Sequence, residues 1–224
     1  MQRRINRFRH RGETLLEVMV AITIMVAVLT SAFTLLIQVS AANTNVVNRV
    51  TALNIAKEGV EAVRNIRDTN WLKYSGDRRG KWLCLDTVAA PNACQTATAL
   101  ITTGVYRVEF EGSRYYLEET ISSALTVEDA LPGEAFRLYE STTTPNEGRM
   151  YHDAVGGGEA TAFYRQILLT PEDEWVDDPT CTTVGCPTKV RLNVVSRVQW
   201  REGSKVRSLD LETYLYDFLG RESY

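Results

Sequence analysis

VMVAITIMVAVLTSAFTLLIQV, residues 18–39, carries no charged side chain from end to end. At 1.5 Å per residue, an α-helix of that length reaches roughly 33 Å, about the hydrocarbon thickness of a bilayer. Arg3, Arg4, Arg7, Arg9 and Arg11 precede it, with no acidic residue before Glu13. Basic residues beside a span hold that end in the cytoplasm, so the rest of the chain is expected outside. Two competing readings are a cleavable secretory signal and an unprocessed anchor. A secretory signal has a shorter apolar core followed by a small-residue site. Ser40-Ala41-Ala42 can mimic such a site, but the run is too long. Glu17, at the lip of the run and four positions after Glu13, separates the readings. A charged group in hydrocarbon costs roughly 2.5–3.5 kcal/mol on insertion scales, so it usually has a role and a partner. Neither a plain anchor nor a secretory signal needs one.

Beyond the span, polarity rises while helical spacing persists. Val46, Val50, Leu53, Val60, Val63 and Ile66 fall near an i, i+3, i+4, i+7 pattern, with Asn43, Asn48, Lys57, Glu61, Arg64 and Arg67 on other faces. This predicts one helix from about Thr14 to about Thr69, membrane-embedded first and amphipathic later, its apolar stripe packed on a sheet. The remainder reads as antiparallel β. Val105–Phe110 and Arg114–Thr120 flank the turn Glu111-Gly112-Ser113. Ala162–Leu169 is an alternating run expected to end at Thr170-Pro171. In Lys189–Trp200, Val190, Leu192, Val194, Val198 and Trp200 share one face, interrupted by Ser196, while Arg191, Asn193, Arg197 and Gln199 share the other. Arg201–Lys205 is a turn, and Val206–Tyr216 returns. Loops such as Gly156-Gly157-Gly158 separate the strands. A long helix followed by strands is an α+β fold.

Arg11-Gly12-Glu13-Thr14-Leu15-Leu16-Glu17-Val18-Met19-Val20-Ala21 resembles the prepilin processing motif of type IV pilin-like proteins. The resemblance is specific over about the first seventy residues, including Ala52–Glu61 and Asp68–Trp71, and architectural beyond them. It implies that a membrane prepilin peptidase cuts between Gly12 and Glu13 and that Glu13 is N-methylated. It implies a long helix packed on a β-sheet head, and Glu17 as the assembly carboxylate. The physics is coherent: the cut leaves the anchor attached and creates an amino group that Glu17 of a neighbouring copy can meet, each charge offsetting the other's desolvation. Glu13 stands where the family usually has Phe or another apolar residue, and residues 13–58 contain neither Pro nor Gly. The chain is therefore more like a minor pilin or pseudopilin than a major pilin.

The implied organisation is a basic leader (1–12), a long helix (13–69) with its transmembrane part at 18–39, and a β-rich extracytoplasmic head (70–224). The implied location is single-pass in the inner membrane, then an extracellular filament. Implied partners are the peptidase, other pilin-like subunits, the inner-membrane assembly platform and the membrane itself. A membrane-anchored extracytoplasmic binding domain that never polymerises is the alternative.

Net charge is −3, but removing the five leading arginines leaves 20 basic against 28 acidic residues. That balance argues against general DNA binding, which needs cations to neutralise phosphates. The four cysteines form two local pairs, Cys84 with Cys94 and Cys181 with Cys186. Disulfides are expected outside the cytoplasm. Of three connectivities, loop-closure entropy favours the local one; reduced thiols are the alternative, and zinc is disfavoured by the spacing. No cofactor or metal is expected, and the reading is not an enzyme. His152-Asp153 is read as an exposed loop, since no nucleophile accompanies it. Asp173, Glu174, Asp177 and Asp178 around Trp175 offer oxygen ligands for calcium, but match no EF-hand, so a solvated loop is expected. Trp71, Trp82 and Trp200 are expected in the core.

Overall fold

The computed structural model of the chain describes residues 13–76, 78–96, 99–111, 113–119, 131–142, 150–152, 158–173 and 189–217. Helix α1 spans Glu13–Lys73. Strands β1 (Gly104–Glu111), β2 (Arg114–Glu119), β3 (Arg137–Glu140), β4 (Met150–Tyr151), β5 (Glu159–Asp173), β6 (Lys189–Glu202) and β7 (Lys205–Tyr216) follow, with short helical turns at Arg78–Lys81, Ala93–Thr96 and Glu134–Phe136. This is the α+β arrangement expected. The chain divides into two compact units, one ending at Asn48 and the other Arg49–Tyr224.

In the first unit, residues 13–48 are helical. No Pro or Gly interrupts them, so every turn keeps its i→i−4 hydrogen bond. Leu16, Met19, Ile22, Val26, Leu29, Phe33 and Leu36 are all at least half exposed. The hydroxyls within this apolar surface turn inward on their own helix. Thr23 donates to the Val20 carbonyl (2.8 Å), Ser31 to Val28 (2.8 Å) and Thr34 to Thr30 (2.9 Å). Each thereby satisfies its donor without water, as a lipid-facing helix requires.

In the second unit, α1 buries Ala52, Ile55, Ala56, Gly59, Val60, Ala62, Val63 and Ile66. The predicted stripe began earlier, but Val46 and Val50 are both more than half exposed. The stripe begins at Ala52 because small residues let the backbone approach the sheet. A Cβ on Gly59 would stand 2.6 Å from Ser196 Oγ and 2.8 Å from Ile167 Cδ1. Gly59 thus explains Ser196, the one interruption in the apolar face of β6: helix and strand are both small where they cross. Arg67 departs from its expected polar face. It is 7% exposed, its guanidinium 4.7 Å from the centre of the Trp71 ring and 2.8 Å from Asp68. α1 continues past Thr69 because Asn70 is buried and donates to the carbonyls of Trp82 (3.2 Å) and Cys84 (2.8 Å).

The strands form one antiparallel sheet ordered β2-β1-β5-β3-β4, with β6 on the other edge of β5 and β7 beyond it. β5 does not stop at Thr170-Pro171 but runs on to Asp173, with Pro171 opposite Leu192. β1 pairs with β5 only as far as Leu169, so beyond that point one edge of β5 is open and a missing N–H breaks no ladder bond. The β1–β2 pairing reaches Glu111↔Arg114, so that connection is one residue shorter than expected. The β6–β7 turn contracts to Gly203-Ser204, with φ +59° at Gly203 as a two-residue II′ hairpin needs. The predicted alternation of β6 holds at Leu192, Val194, Val198 and Trp200, all buried; Gln199, assigned to the polar face, is buried as well. Strands β3 and β4 were not anticipated. The main core joins Val60, Val63 and Ile66 to Trp82, Tyr106, Leu117, Ile167, Leu169 and Val194, with Trp71 packed at its margin. A second cluster gathers Ala52, Ile55 and Ala56 around Leu138, Val198 and Trp200.

Candidate functional site

The N-terminal turns of α1 carry the motif read from the sequence. Gly12 lies outside the described residues, and Glu13 is the first residue of α1. Glu17 is one turn further on and exposed. A carboxylate there interacts favourably with the positive end of the helix dipole. The uncharged run follows directly. A window of α1 is long and apolar enough to cross a membrane, and none of it is buried within the protein. Chemically, this segment presents the Glu17 carboxylate beside a wide apolar surface. Such a surface needs lipid or another apolar helix against it.

The head supplies the remaining candidates. Cys84 and Cys94 are joined by a disulfide, as expected. Both are buried, with Tyr74, beyond the end of α1. Asp86 comes close to both sulfurs, so the three residues have the spacing of a metal site. That reading fails on donor chemistry: the thiols are consumed by the bond, and Asp86 is held by Lys73 and by the Tyr74 hydroxyl (3.3 Å). Cys181 and Cys186 lie outside the described residues. So do Glu174, Asp177 and Asp178, leaving only the backbone of Asp173, at the end of β5, from the acidic patch.

His152 corrects an expectation. It is 2% exposed rather than on an open loop, because β4 pairs with β3 and carries the following residue inward. The backbone of Phe136 and Arg137 lies beside its ring without a well-formed hydrogen bond. Burial, then the nearby positive charges of Arg165 and Arg107, hold its pKa well below the usual histidine range. Arg165 was also missed. Its side chain is 2% exposed and meets Glu58 of α1 at 3.4 Å. Burial lowers its pKa, opposed by Glu58. The signal was present in Tyr164-Arg165-Gln166-Ile167, where polar residues occupy both faces of a strand. Only the packing of α1 over β5 shows that Arg165 lies on the covered face. Buried His152 and Arg165 and the partly exposed Glu58 here form an electrostatic cluster.

Residues 7–36 match the family model of the prokaryotic N-terminal methylation motif. The match covers the second half of the basic leader from Arg7, Gly12, Glu13, Glu17 and most of the uncharged run, and is consistent with a type IV pilin-like protein processed by a prepilin peptidase. Neither a curated protein nor a solved structure matches the chain.

Proposed function

We propose that this protein is a type IV pilus-like filament subunit of the minor pilin or pseudopilin kind. The leader, residues 1–12, is removed by prepilin peptidase after Gly12, and Glu13 is then N-methylated. Residues 18–39 hold the subunit in the inner membrane with the head outside the cytoplasm, until the assembly platform packs it among other pilin-like subunits. There the new amino group at Glu13 meets Glu17 of a neighbouring copy. Pairing is what makes burial of both charges tolerable, since an unpaired charge in that apolar bundle is strongly disfavoured. The observation that carries this reading is the methylation motif running into a helical segment, residues 13–48, whose apolar residues are exposed on every side. The head's role is recognition or spacing rather than chemistry.

The test is the mass of the protein from its native host, beside Gly12→Val and Glu17→Ala variants. The wild type should begin at an N-methylated Glu13. Gly12→Val should keep its leader. Glu17→Ala should be cut normally and remain in the membrane without entering filaments. A wild-type chain still starting at Met1 overturns the processing. Filament incorporation undiminished in Glu17→Ala overturns the assembly role and favours a solitary anchored domain.

A further inference from the structure

β7 closes one side of the sheet. It pairs with β6 over its whole length, from Arg191↔Tyr216 to Glu202↔Lys205, without a register shift, and has no second partner among the described residues. Sheets commonly guard such an edge with a proline, a bulge, a short strand or inward-pointing charges. β7 has no proline or bulge, and its row facing α1 is uncharged from Leu209 through Leu215. Its outward acids are tied back along the sheet, Asp210 to Arg197 (2.7 Å) and Glu212 to Asn193 (2.8 Å).

The tight turn fixes which backbone groups are free. A two-residue hairpin closes on a hydrogen-bonded pair, here Glu202↔Lys205, and bonded pairs then alternate. The odd-numbered residues of β7 therefore bond β6. The N–H and C=O groups of Ser208, Asp210, Glu212 and Tyr214 point away from it. Beside them lies a groove of about 220 Å³, walled by Lys57, Glu61 and Arg64 of α1 and by Leu211 and Thr213 of β7. Arg64 and Glu61 pair at 2.5 Å, whereas Lys57 has no acidic partner among the described residues.

We propose that the β7 edge is a docking site for an extended strand of a different protein chain. That strand extends the sheet by main-chain hydrogen bonds. Its side chains toward the groove are apolar with an acid for Lys57, and those on the opposite face are basic, beside Asp210 and Glu212. Charge decides against a second copy pairing through its own β7. About a two-fold axis normal to the sheet, the two registers of greatest overlap set Asp210 opposite Asp210, or Asp210 opposite Glu212, and like charges directly opposed are destabilising. The proposal does not depend on filament assembly.

The probe is a capped peptide of roughly eight residues, the length of a usual strand. Lysines occupy alternate positions, with valines and one glutamate between them. Hydrogen exchange of the full chain in detergent micelles is resolved to single amides. Ser208, Asp210, Glu212 and Tyr214 should exchange fast alone and about tenfold or more slower with the probe, while Leu209, Leu211 and Thr213 are slow throughout. A probe methylated on the backbone nitrogens that face β7 should not bind. A probe with glutamates in place of the lysines should bind at least about tenfold more weakly. Glu212→Pro removes one outward N–H and the exposed side-chain bond to Asn193 but no main-chain bond to β6, and should lose binding with its melting temperature near wild type. Outward amides slow before any probe is added mean that the chain covers its own edge, and overturn the proposal. Protection that rises with protein concentration alone makes the occupant a second copy, and also overturns it. Unchanged exchange with the probe, or equal binding of both charge versions, does the same.

Discussion

The two stretches of α1 on either side of Asn48 share one helix and obey opposite rules. Before it, apolar residues point in every direction and all are exposed. After it, Ala52, Ile55, Ala56, Val60, Val63 and Ile66 are buried on the face that meets the sheet, while Lys57, Glu61 and Asn65 stay exposed, as do Val50 and Leu72 near its two ends. A helix that is apolar all round is built for a lipid or helix-bundle environment, and an amphipathic one for a single packed face. The contrast shows that helix length alone says little about what a helix is for. The angular distribution of apolar side chains says which medium each turn was selected to meet. The polar side chains agree. Thr23, Ser31 and Thr34 in the first stretch bond their own helix, whereas Asn70, in the second, reaches the carbonyls of Trp82 and Cys84 beyond it.

This contrast can be broken by substitution. Ile167, wholly buried under the second stretch, is the largest expected effect. Ile167→Ala should destabilise the head by about 2–5 kcal/mol through lost contacts and a residual cavity. Leu29→Ala, in the first stretch, should leave head stability within about 0.5 kcal/mol, as for exposed positions. Denaturant titration in micelles, followed by fluorescence of the buried Trp82 and Trp200, measures both. Equal losses at the two positions would abolish the distinction. Next comes the crossing of helix and strand: Gly59→Ala should cost about 1–3 kcal/mol, because the added methyl group meets Ser196 and Ile167. Ser196→Gly in the same background should recover part of it. Recovery of nothing would mean that the approach there is not limiting.

The smallest effect is one of pH. His152 is kept neutral in the fold, chiefly by burial and then by Arg165 and Arg107, with Glu58 and Glu109 balancing Arg165. Its folded pKa lies below the unfolded one, so the unfolded chain takes up the proton first as pH falls. The stability this histidine supplies is complete above about pH 6.5 and drains away below it, at no more than about 1.4 kcal/mol per pH unit. Melting temperatures between neutral pH and pH 5 should fall more steeply in the wild type than in His152→Leu. Parallel slopes would remove His152 from the account.

How much could be read in advance varied with the range of the interaction. The helix, the exposed apolar segment and the β6–β7 hairpin follow from periodicity, which is local. The Cys84–Cys94 bond follows from short loop closure. Three of the misreadings involve partners distant in the chain. Pro171 reads as a strand end, yet it is harmless where β1 has already stopped. Val46 and Val50 fit the stripe by spacing, but the small residues that permit close packing begin at Ala52. His152, between turn residues, reads as solvent-facing until β3 and β4 pair.

The amino-acid sequence alone determined the charge-free run at 18–39, the basic residues before it, and Glu17 at its lip. These are properties of consecutive residues and need no partner to be defined. Tertiary structure alone decided that Arg165 is buried against Glu58, that Ser196 sits beneath Gly59, and that β7 has no second strand partner among the described residues. Burial and strand order depend on which distant segments come together, and no window of consecutive residues contains that information.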